Sequence, residues 1–210
     1  MESIIKGIYT DILEGNHKTI QTKIQSAIQA GIKPSAILQE GMIVAMSEVG
    51  RLFETGEYYV PEMLVAARAM QTGLAVLKPQ LVAAQIQPVG KIAIGTVTGD
   101  LHDIGKNLVS MMLEGAGFEN IDLGPDAGPE KFIDAVTNHD VEILALSALL
   151  TTTMPNMKVI IDALIQAGLR QRVKIIIGGA PVTQNYAQAI GADGYAPDAS
   201  RAVSLAKSLL

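Results

Sequence analysis

Residues 92–107 read Ile-Ala-Ile-Gly-Thr-Val-Thr-Gly-Asp-Leu-His-Asp-Ile-Gly-Lys-Asn, and their pattern indicates the architecture of the second half of the chain. Its first part, Ile92 to Val97, is a short apolar run with β-branched residues, which is typical of a buried strand. A polar loop follows, and helical spacing of apolar residues begins at Ile104 and extends to Glu114. The stretch therefore predicts a strand, a loop and a helix. Because ligands in parallel α/β sheets bind beyond the carboxyl ends of the strands, His102 in this loop stands at the functional edge.

The rest of the second half repeats this alternation of short apolar runs and helical stretches. Such a rhythm indicates a parallel sheet that helices cover on both faces. A doubly wound α/β fold with five parallel strands is therefore predicted, and the signal is weakest for the second strand. The further predicted strands are 121–123, 143–147, 173–177 and 194–195, and the further predicted helices are 129–138, 155–167, 183–190 and 200–209.

The first half has a different pattern, in which apolar residues recur at helical spacing up to about residue 85. Glycine and proline residues separate four such stretches, and Pro61 is predicted in the first turn of the fourth helix. Four amphipathic helices of this length naturally form a bundle. The change of pattern near residues 87–90 predicts a helical domain of residues 1–88 and an α/β domain of residues 89–210.

Composition restricts the class of protein. The chain has 210 residues, no cysteine and a formal net charge of −5, so a metal must come with histidine, carboxylate or a cofactor. Its 16 Lys and Arg residues are scattered and its aromatic content is only 4%, which argues against a nucleic-acid partner. No apolar run approaches the roughly 18 residues of a membrane helix, and no signal-peptide pattern opens the chain. We expect a cytoplasmic protein that binds neither membrane nor nucleic acid.

The loop around His102 fits neither common phosphate-binding motif. A P-loop has four residues between its glycines and then Lys and Ser or Thr, whereas five residues separate Gly99 from Gly105, and Asn107 replaces the hydroxyl. The Gly-x-Gly-x-x-Gly fingerprint of dinucleotide sites is also absent. A turn with a solvated histidine is the plain structural alternative. The combination Asp-x-His-x-x-Gly favours a metal site, because a carboxylate such as Asp100 usually fixes the second nitrogen of a metal-ligating imidazole.

Gly105 also leaves the backbone open to a bulky planar ligand. The segment resembles the cobalamin-binding motif of the corrinoid proteins of methylotrophic methyltransferase systems and of the cobalamin module of methionine synthase. The resemblance covers nearly the whole chain. It implies a cobalamin-type corrinoid in the base-off/His-on state, in which His102 replaces the cofactor's own base as the lower axial ligand of cobalt and Asp100 is its hydrogen-bond partner. The motif residues that bind the cofactor by this resemblance are Gly99, Asp100, Leu101, His102, Asp103 and Gly105.

Three later segments match the same family in the expected order. Residues 147–151 resemble the Ser-x-Leu segment after the third strand, residues 177–180 the glycine pair after the fourth, and residues 195–200 the segment that closes the pocket for the nucleotide tail. Thr153 stands where the family has a serine at the end of the hydrogen-bond relay from the axial ligand. By resemblance, the residues of this pocket are Ser147, Leu149, Thr151, Thr153, Gly178, Gly179, Tyr195 and Ala199.

The helical half fits the same family, because residues 49–61 resemble the cap that covers the upper face of the corrin. Phe53 and Val60 fall where the family places apolar side chains against the methyl group, and ordinary core packing is the alternative. Contact of Tyr58 and Tyr59 with the cofactor is left open. The resemblance therefore implies a four-helix bundle cap followed by a Rossmann-like (flavodoxin-like) corrinoid-binding domain.

The function implied by the resemblance is that of a methyl carrier without catalytic residues of its own. The chain would accept a methyl group on cobalt from a donor-specific methyltransferase and deliver it to an acceptor methyltransferase, with a corrinoid reductive activase as a third partner. Alternatives are the cobalamin-binding subunit of an adenosylcobalamin-dependent mutase, a cobalamin-based sensor, and a flavodoxin-like module without corrinoid. The helical cap disfavours the first, the lack of a basic recognition helix disfavours the second, and the third must treat all the matching segments as accidental.

Two residues of the His102 loop have an alternative interpretation. Asp103 and Lys106 either contact the amide side chains of the corrin or only open the helix that follows the loop, since an aspartate near a helix N-terminus needs no other function. The methyl donor is chosen by the partner methyltransferase, so the sequence of the carrier does not name it.

Overall fold

A computed structural model of the chain describes residues 2–210 and shows two compact units. One unit holds the chain up to Pro88 together with Glu114–Gly117, and the other holds Val89–Leu113 and Phe118–Leu210. Among residues 2–210, no helix is both long enough and apolar enough to cross a membrane.

The first unit is helical because each amphipathic stretch buries one apolar face. Its helices are α1 (Glu2–Leu13), α2 (Ile20–Gln29), α3 (Pro34–Ala36), α4 (Val44–Glu54) and α5 (Val60–Ala83). Ile8 and Ile20 are fully buried between them. The buried carboxylate of Asp11 accepts a hydrogen bond from Lys23 Nζ at 2.6 Å, which ties α1 to α2. The predicted helical bundle is confirmed, and Pro61 lies in the first turn of α5 as expected.

The third predicted helix is not a regular α-helix. α3 continues through a π-helical segment, Ile37–Ile43, into α4. In a π-helix each backbone N–H bonds one residue further back than in an α-helix, so the segment holds an extra residue per turn. The sequence does not reveal this change, because the buried residues Ile37, Gly41 and Ala45 still recur every four residues.

The second unit is built on a sheet of parallel strands. They are β1 (Lys91–Val97), β2 (Glu119–Ala127), β3 (Ile143–Ser147), β4 (Lys174–Gly178) and β5 (Gly194–Tyr195). Hydrogen bonds join them in the order β2-β1-β3-β4-β5. Ile92 to Val97 in β1 are all buried, as expected for a central strand that is covered on both faces. The predicted doubly wound sheet of five strands is confirmed.

Helices connect these strands and complete the core of the unit. They are α6 (Ile104–Gly115), α7 (Pro129–Asn138), α8 (Asn156–Gln166), α9 (Gln184–Ile190) and α10 (Ala199–Leu209). Phe132 of α7 and Ile160 of α8 join a buried cluster with Leu144 of β3. A side chain at Gly95 in β1 would place its Cβ 2.9 Å from Phe132 Cζ, so glycine lets the helix approach the strand closely.

The prediction for the second strand was wrong in length. The apolar run covers only residues 121–123, whereas β2 spans Glu119–Ala127. β2 lies at the edge of the sheet, and nearly all of its residues are exposed or half-buried, so its apolar pattern is weak. Its pairing with β1 also shifts register between Ile94 and Val97. The other predicted strands and helices of this unit agree with the structure within two residues.

Candidate functional site

The candidate site lies at the carboxyl edge of the sheet, where β1 and β3 end side by side. In the strand order found here, the connections from β1 and β3 leave toward opposite sides, which makes this pair the topological switch point where parallel sheets bind ligands. Ser147, the last residue of β3, pairs with Thr96 of β1 and with Gly178 of β4. The segments singled out in the sequence therefore emerge at neighbouring positions on one edge.

Asp100 is the centre of a hydrogen-bond network that joins the ends of β1 and β3. Its side chain is fully buried, and its Oδ1 lies 2.7 Å from His102 Nδ1 and 3.0 Å from the His102 backbone nitrogen. Its Oδ2 accepts a hydrogen bond from the Leu149 N–H at 2.8 Å and from Thr153 Oγ1 at 2.6 Å. A longer bond comes from the Leu150 N–H at 3.4 Å. Both carboxylate oxygens are thus fixed from two sides.

These hydrogen bonds decide the charge of Asp100. Burial alone would raise the pKa of this carboxyl group, but the hydrogen bonds from Thr153, from the backbone of His102 and Leu149 and from the His102 ring outweigh it. They hold the pKa well below its usual range, so Asp100 is ionised at neutral pH. A buried carboxylate without a formal counter-charge is tolerated because several donors solvate it.

The ionised carboxylate also fixes the tautomer of His102. A carboxylate can only accept hydrogen bonds, so the hydrogen on the facing ring nitrogen must belong to Nδ1. In the neutral imidazole, Nε2 then carries a free lone pair, and no hydrogen-bond partner for Nε2 occurs among residues 2–210. The imidazole is about half exposed, with 51% of the side chain accessible. One nitrogen is held and the other is available, which is the arrangement of a metal-ligating histidine.

The backbone of the His102 loop is tied down at several points. The Gly99 N–H donates to Asp126 Oδ1 at 2.7 Å, and Thr96 Oγ1 donates to the His102 carbonyl oxygen at 3.1 Å. Gly99 has a φ of +80°, a conformation that glycine adopts without strain. Asn156 Nδ2 of α8 donates to the Thr98 carbonyl oxygen at 2.7 Å.

The remaining motif residues divide into an exposed group and a structural pair. Leu101 is 72% exposed, and a Cβ at Gly105 would meet no atom within 4 Å. Asp103 accepts a hydrogen bond from Asn107 Nδ2 at 3.1 Å in the first turn of α6. Lys106 is buried, and its Nζ lies 2.6 Å from Asp122 Oδ1. This ion pair to β2 gives Lys106 a role inside the fold.

The glycine pair after β4 is required by the fold itself. Gly179 has a φ of +125°, and a Cβ there would lie 1.8 Å from the Ala148 carbonyl oxygen. A Cβ at Gly178 would lie 3.1 Å from the Ala196 carbonyl oxygen. The close approach of these loop backbones explains both glycines without any ligand, so the pair is by itself a weak sign of a binding site.

The other predicted pocket residues differ in accessibility. Leu149 and Thr151 are exposed, and Ser147 and Tyr195 are half-buried at the ends of their strands. Ala199, the first residue of α10, is buried. Thr153 is buried, and its hydroxyl faces Asp100 as described above. The structure therefore brings Asp100, His102, Leu149 and Thr153 into one hydrogen-bonded group and leaves the rest around it.

The predicted cap residues belong to the helical unit. Phe53 in α4 is half-buried, and Val60 at the start of α5 is 41% exposed. The Tyr58 hydroxyl donates to the Leu13 carbonyl oxygen at 3.1 Å, whereas Tyr59 is 66% exposed. Tyr58 thus has a packing role within its own unit.

Sequence reasoning missed Thr96, Asp126 and Asn156, and it assigned Leu149 to the cofactor pocket without predicting the role of its backbone N–H. Thr96 lies inside a buried strand, Asp126 lies in a strand segment that was not predicted, and the backbone of Leu149 acts through its N–H alone. Only Thr96 carried a signal, since a buried polar residue in an otherwise apolar strand needs a partner. Within residues 2–210, no three His, Cys, Asp or Glu side chains are grouped so that they could hold a metal ion by themselves.

Comparisons with known families match both parts of the chain. Residues 90–204 match the B12 binding domain family, and residues 4–78 match a second family of the same description. Dimethylamine corrinoid protein 3 of Methanosarcina acetivorans is 41% identical over 209 residues, which are 98% of this chain and 98% of the relative. Trimethylamine corrinoid protein of Methanosarcina barkeri is 40% identical over 211 residues, which are 100% of this chain and 97% of the relative.

Solved structures agree with this assignment. The structure of the methanol:cobalamin methyltransferase complex MtaBC from Methanosarcina barkeri matches with a TM-score of 0.89 and 30% identity, covering 100% of this chain and 80% of that chain. A cobalamin-binding protein from Desulfitobacterium hafniense DCB-2 matches with a TM-score of 0.80 and 31% identity, covering 98% of each chain.

Proposed function

This chain belongs to the family of B12-binding corrinoid proteins, and from that premise we propose that it carries a methyl group on a bound corrinoid from one methyltransferase to another. The observation that carries the proposal is the hydrogen-bonded group of His102, Asp100 and Thr153 at the switch point of the sheet. Relatives that match over the full length, such as the dimethylamine and trimethylamine corrinoid proteins, support the same conclusion.

The residues at the site fit a corrinoid. Such a cofactor brings most of the ligands of its metal with it, and His102 Nε2 would offer one further nitrogen ligand from the protein. The open space beside Gly105 suits the approach of a flat macrocycle. Leu101 and Ile104 are 72% and 82% exposed, and a bound ring would remove this apolar surface from water.

We propose that the cofactor binds in the base-off/His-on state, with His102 as the lower axial ligand. When bound, the corrinoid supplies a cobalt ion that accepts and donates a methyl group. Asp100 holds the proton on Nδ1 of His102 and raises the basicity of Nε2. Thr153 donates to the far oxygen of Asp100 and prevents the carboxylate from turning away. The three side chains together set the direction and the strength of the axial ligand.

The nucleotide tail of the cofactor is proposed to lie at the ends of β3, β4 and β5. Ser147 and Thr151 offer hydroxyl groups for its polar atoms. Gly178 and Gly179 shape the adjoining loop, because they allow the close approach of the Ala196 and Ala148 carbonyl oxygens. Leu149, Tyr195 and Ala199 complete this proposed pocket.

The helical unit is proposed to act as the cap domain, residues 1–88, of the corrinoid-binding domain, residues 89–210. Its own match to a B12 binding domain family over residues 4–78 supports this assignment. Phe53 and Val60 are the side chains that we propose for contact with the methyl group, where they would keep water away from it.

Partners follow from the same premise. The MtaBC structure is that of a methanol:cobalamin methyltransferase complex, which supports a donor-specific methyltransferase as partner. An acceptor methyltransferase, a corrinoid reductive activase and a cytoplasmic location belong to the proposal as well. A role as a mutase subunit is not favoured, because the full-length relatives are named corrinoid proteins of methylamines.

The first experiment is a titration of the purified chain with aquocobalamin. We expect saturable binding with one cofactor per chain, followed by gel filtration that retains it. The loaded and reduced protein is then incubated with dimethylamine, trimethylamine or methanol and the methyltransferase specific for each, and methylation is followed by visible absorption. Transfer from at least one donor supports the carrier role. Failure to bind any corrinoid under several reconstitution conditions contradicts the proposal.

A further inference from the structure

The loop that carries the imidazole is fixed at both ends by aspartates of the edge strand β2. At its leading end, the Gly99 N–H donates to Asp126 Oδ1 at 2.7 Å, and the Asp126 N–H donates to the Asp100 carbonyl oxygen at 3.0 Å. At its trailing end, Lys106 Nζ donates to Asp122 Oδ1 at 2.6 Å. None of the segments that resemble the family in the sequence includes Asp122 or Asp126.

Asp126 adopts an uncommon backbone conformation to make its two contacts. Its φ is +50°, in the left-handed region that few residues other than glycine occupy, although Asp and Asn tolerate it best. Such conformations persist where the surrounding structure determines them, and they are frequent at functional sites. Here the conformation lets Asp126 accept a hydrogen bond from the Gly99 N–H and donate one to the Asp100 carbonyl oxygen, so two hydrogen bonds hold the same turn.

The other hydrogen bonds on this turn hold the residues on either side of Gly99. The Thr98 carbonyl oxygen accepts from Asn156 Nδ2 at 2.7 Å, and the Asp100 N–H donates to the Val97 carbonyl oxygen at 3.1 Å. Thr98 and Gly99 are exposed, and Thr98 Oγ1 makes a long bond of 3.3 Å to the Ala127 carbonyl oxygen. The carboxylate of Asp100 is held from the β3 side by Leu149 and Thr153, but its position also depends on the backbone that carries it. Loss of the Asp126 acceptor would leave the Gly99 N–H to water and loosen the start of the loop.

We propose that Asp126 is a positioning residue, which fixes the Gly99–Asp100 turn and through it the orientation of the His102 imidazole. The inference rests on the proposed function only where it treats His102 as the metal ligand. Asp126 bonds to Gly99 and Asp100 and makes no hydrogen bond to the imidazole, so its effect passes through the backbone of the loop.

The test uses two substitutions that both tolerate the left-handed conformation. Asp126→Asn keeps a side-chain oxygen that can accept from the Gly99 N–H, whereas Asp126→Gly removes the acceptor. Asp140→Gly is the matched control, because Asp140 is also exposed and has a φ of +53°. It precedes β3 and so lies at the amino ends of the strands, whereas the candidate site lies at their carboxyl ends. A general effect of glycine at such a position would therefore appear in the control too.

The first readout is the pair of ring-nitrogen chemical shifts of His102 in the protein without cofactor, measured by NMR. We expect one tautomer with a strongly bonded Nδ1–H in the wild type, in Asp126→Asn and in Asp140→Gly. In Asp126→Gly we expect averaging of the two ring nitrogens, since the imidazole is no longer held against Asp100. A role of Asp126 that was only structural would lower stability without changing these shifts.

The second readout is the Kd for aquocobalamin, measured by absorption titration. Loss of a group that orients a metal ligand typically weakens binding 10- to 100-fold, and for an indirect effect we expect about threefold to tenfold in Asp126→Gly. The other two variants should stay within about twofold of the wild type. If Asp126→Gly keeps both the nitrogen shifts and the Kd of the wild type, the positioning role is wrong and the methyl-carrier proposal stands.

The same data can contradict the methyl-carrier proposal while leaving the positioning role of Asp126 open to test. If the wild type binds no cobalamin, the proposed function is wrong. The ring-nitrogen shifts of His102 then test by themselves whether Asp126 positions the imidazole. If Asp126→Gly does not fold, hydrogen exchange of the Gly99 N–H in the wild type decides instead. Protection of this amide supports its bond to Asp126, and exchange at the rate of an unstructured peptide contradicts it.

Discussion

Asp100 Oδ1 lies 2.7 Å from His102 Nδ1, so a fully buried carboxylate holds a ring that is itself half exposed. The charge is fixed in the interior and the free nitrogen is presented outside. Within residues 2–210, no three His, Cys, Asp or Glu side chains are grouped to hold a metal ion. The relationship therefore suits the proposed role, in which His102 would supply one ligand to a metal that arrives inside a cofactor.

The hydroxyl of Thr153 is predicted to support this pair. Thr153→Val keeps the shape of the side chain but removes the donor to Asp100 Oδ2, so the free energy of unfolding should fall by about 1.5–3 kcal/mol, the range for a hydrogen bond to a charged group. Thr153→Ser keeps the donor and should lose less. Urea unfolding of the cofactor-free protein measures both, and equal stabilities of the Val variant and the wild type would exclude the contribution of this bond.

The lowered pKa of Asp100 predicts a specific loss of stability in acid. Because the pKa is lower in the folded than in the unfolded state, ionised Asp100 contributes stability above the ordinary aspartate pKa of about 3.9, and this contribution is lost as the pH falls through the folded value. Urea unfolding of the cofactor-free protein should therefore show stability falling below about pH 4.

Asp100→Asn is the control for this acid effect. The amide of Asn cannot ionise, and its NH2 group would face groups that donate hydrogen bonds to Asp100 in the wild type. The variant should therefore be less stable than the wild type at neutral pH and should lose less stability in acid. The remaining carboxylates are common to both proteins. Parallel curves of stability against pH would show that Asp100 does not titrate differently in the folded and unfolded states.

Two glycines of the site are predicted to respond in opposite ways. Gly179→Ala places a Cβ 1.8 Å from the Ala148 carbonyl oxygen at a φ of +125°, so stability should fall by on the order of 3 kcal/mol. Gly105→Ala adds a methyl group in open space within α6 and should leave stability unchanged or raise it by up to about 1 kcal/mol.

Cobalamin binding should distinguish Gly105 from an ordinary helix residue. If the corrin ring approaches the backbone at Gly105, Gly105→Ala should raise the Kd for cobalamin even though the protein stays folded. An unchanged Kd would place the ring elsewhere.

Much of the fold could be predicted because the signals are local. The run from Ile92 to Val97 and the repeat from Ile104 onward are properties of short segments, and the structure follows them closely. The proximity of Asp100 and His102 was also local, since only Leu101 separates them in the chain. The match of Thr153 to the relay came from the resemblance and not from spacing.

The features that escaped prediction depend on contacts between distant segments. Asp126 acquires its role only because β2 pairs with β1 and brings it to Gly99. The need for Gly179 arises from the Ala148 carbonyl oxygen on a neighbouring loop. The π-helical segment 37–43 leaves the apolar repeat almost unchanged, so periodicity alone does not distinguish it from an α-helix.

The most direct test of the proposed axial role of His102 is the electron paramagnetic resonance spectrum of the cobalamin-loaded protein in its cobalt(II) state. The unpaired electron couples to the axial nitrogen, so protein made with nitrogen-15 histidine should show doublet splitting where unlabelled protein shows a triplet. His102→Ala, which retains His17 and His139, should not respond to the label. If the labelled wild type still shows a triplet, the cofactor keeps its own base on cobalt, and this result would contradict ligation by His102.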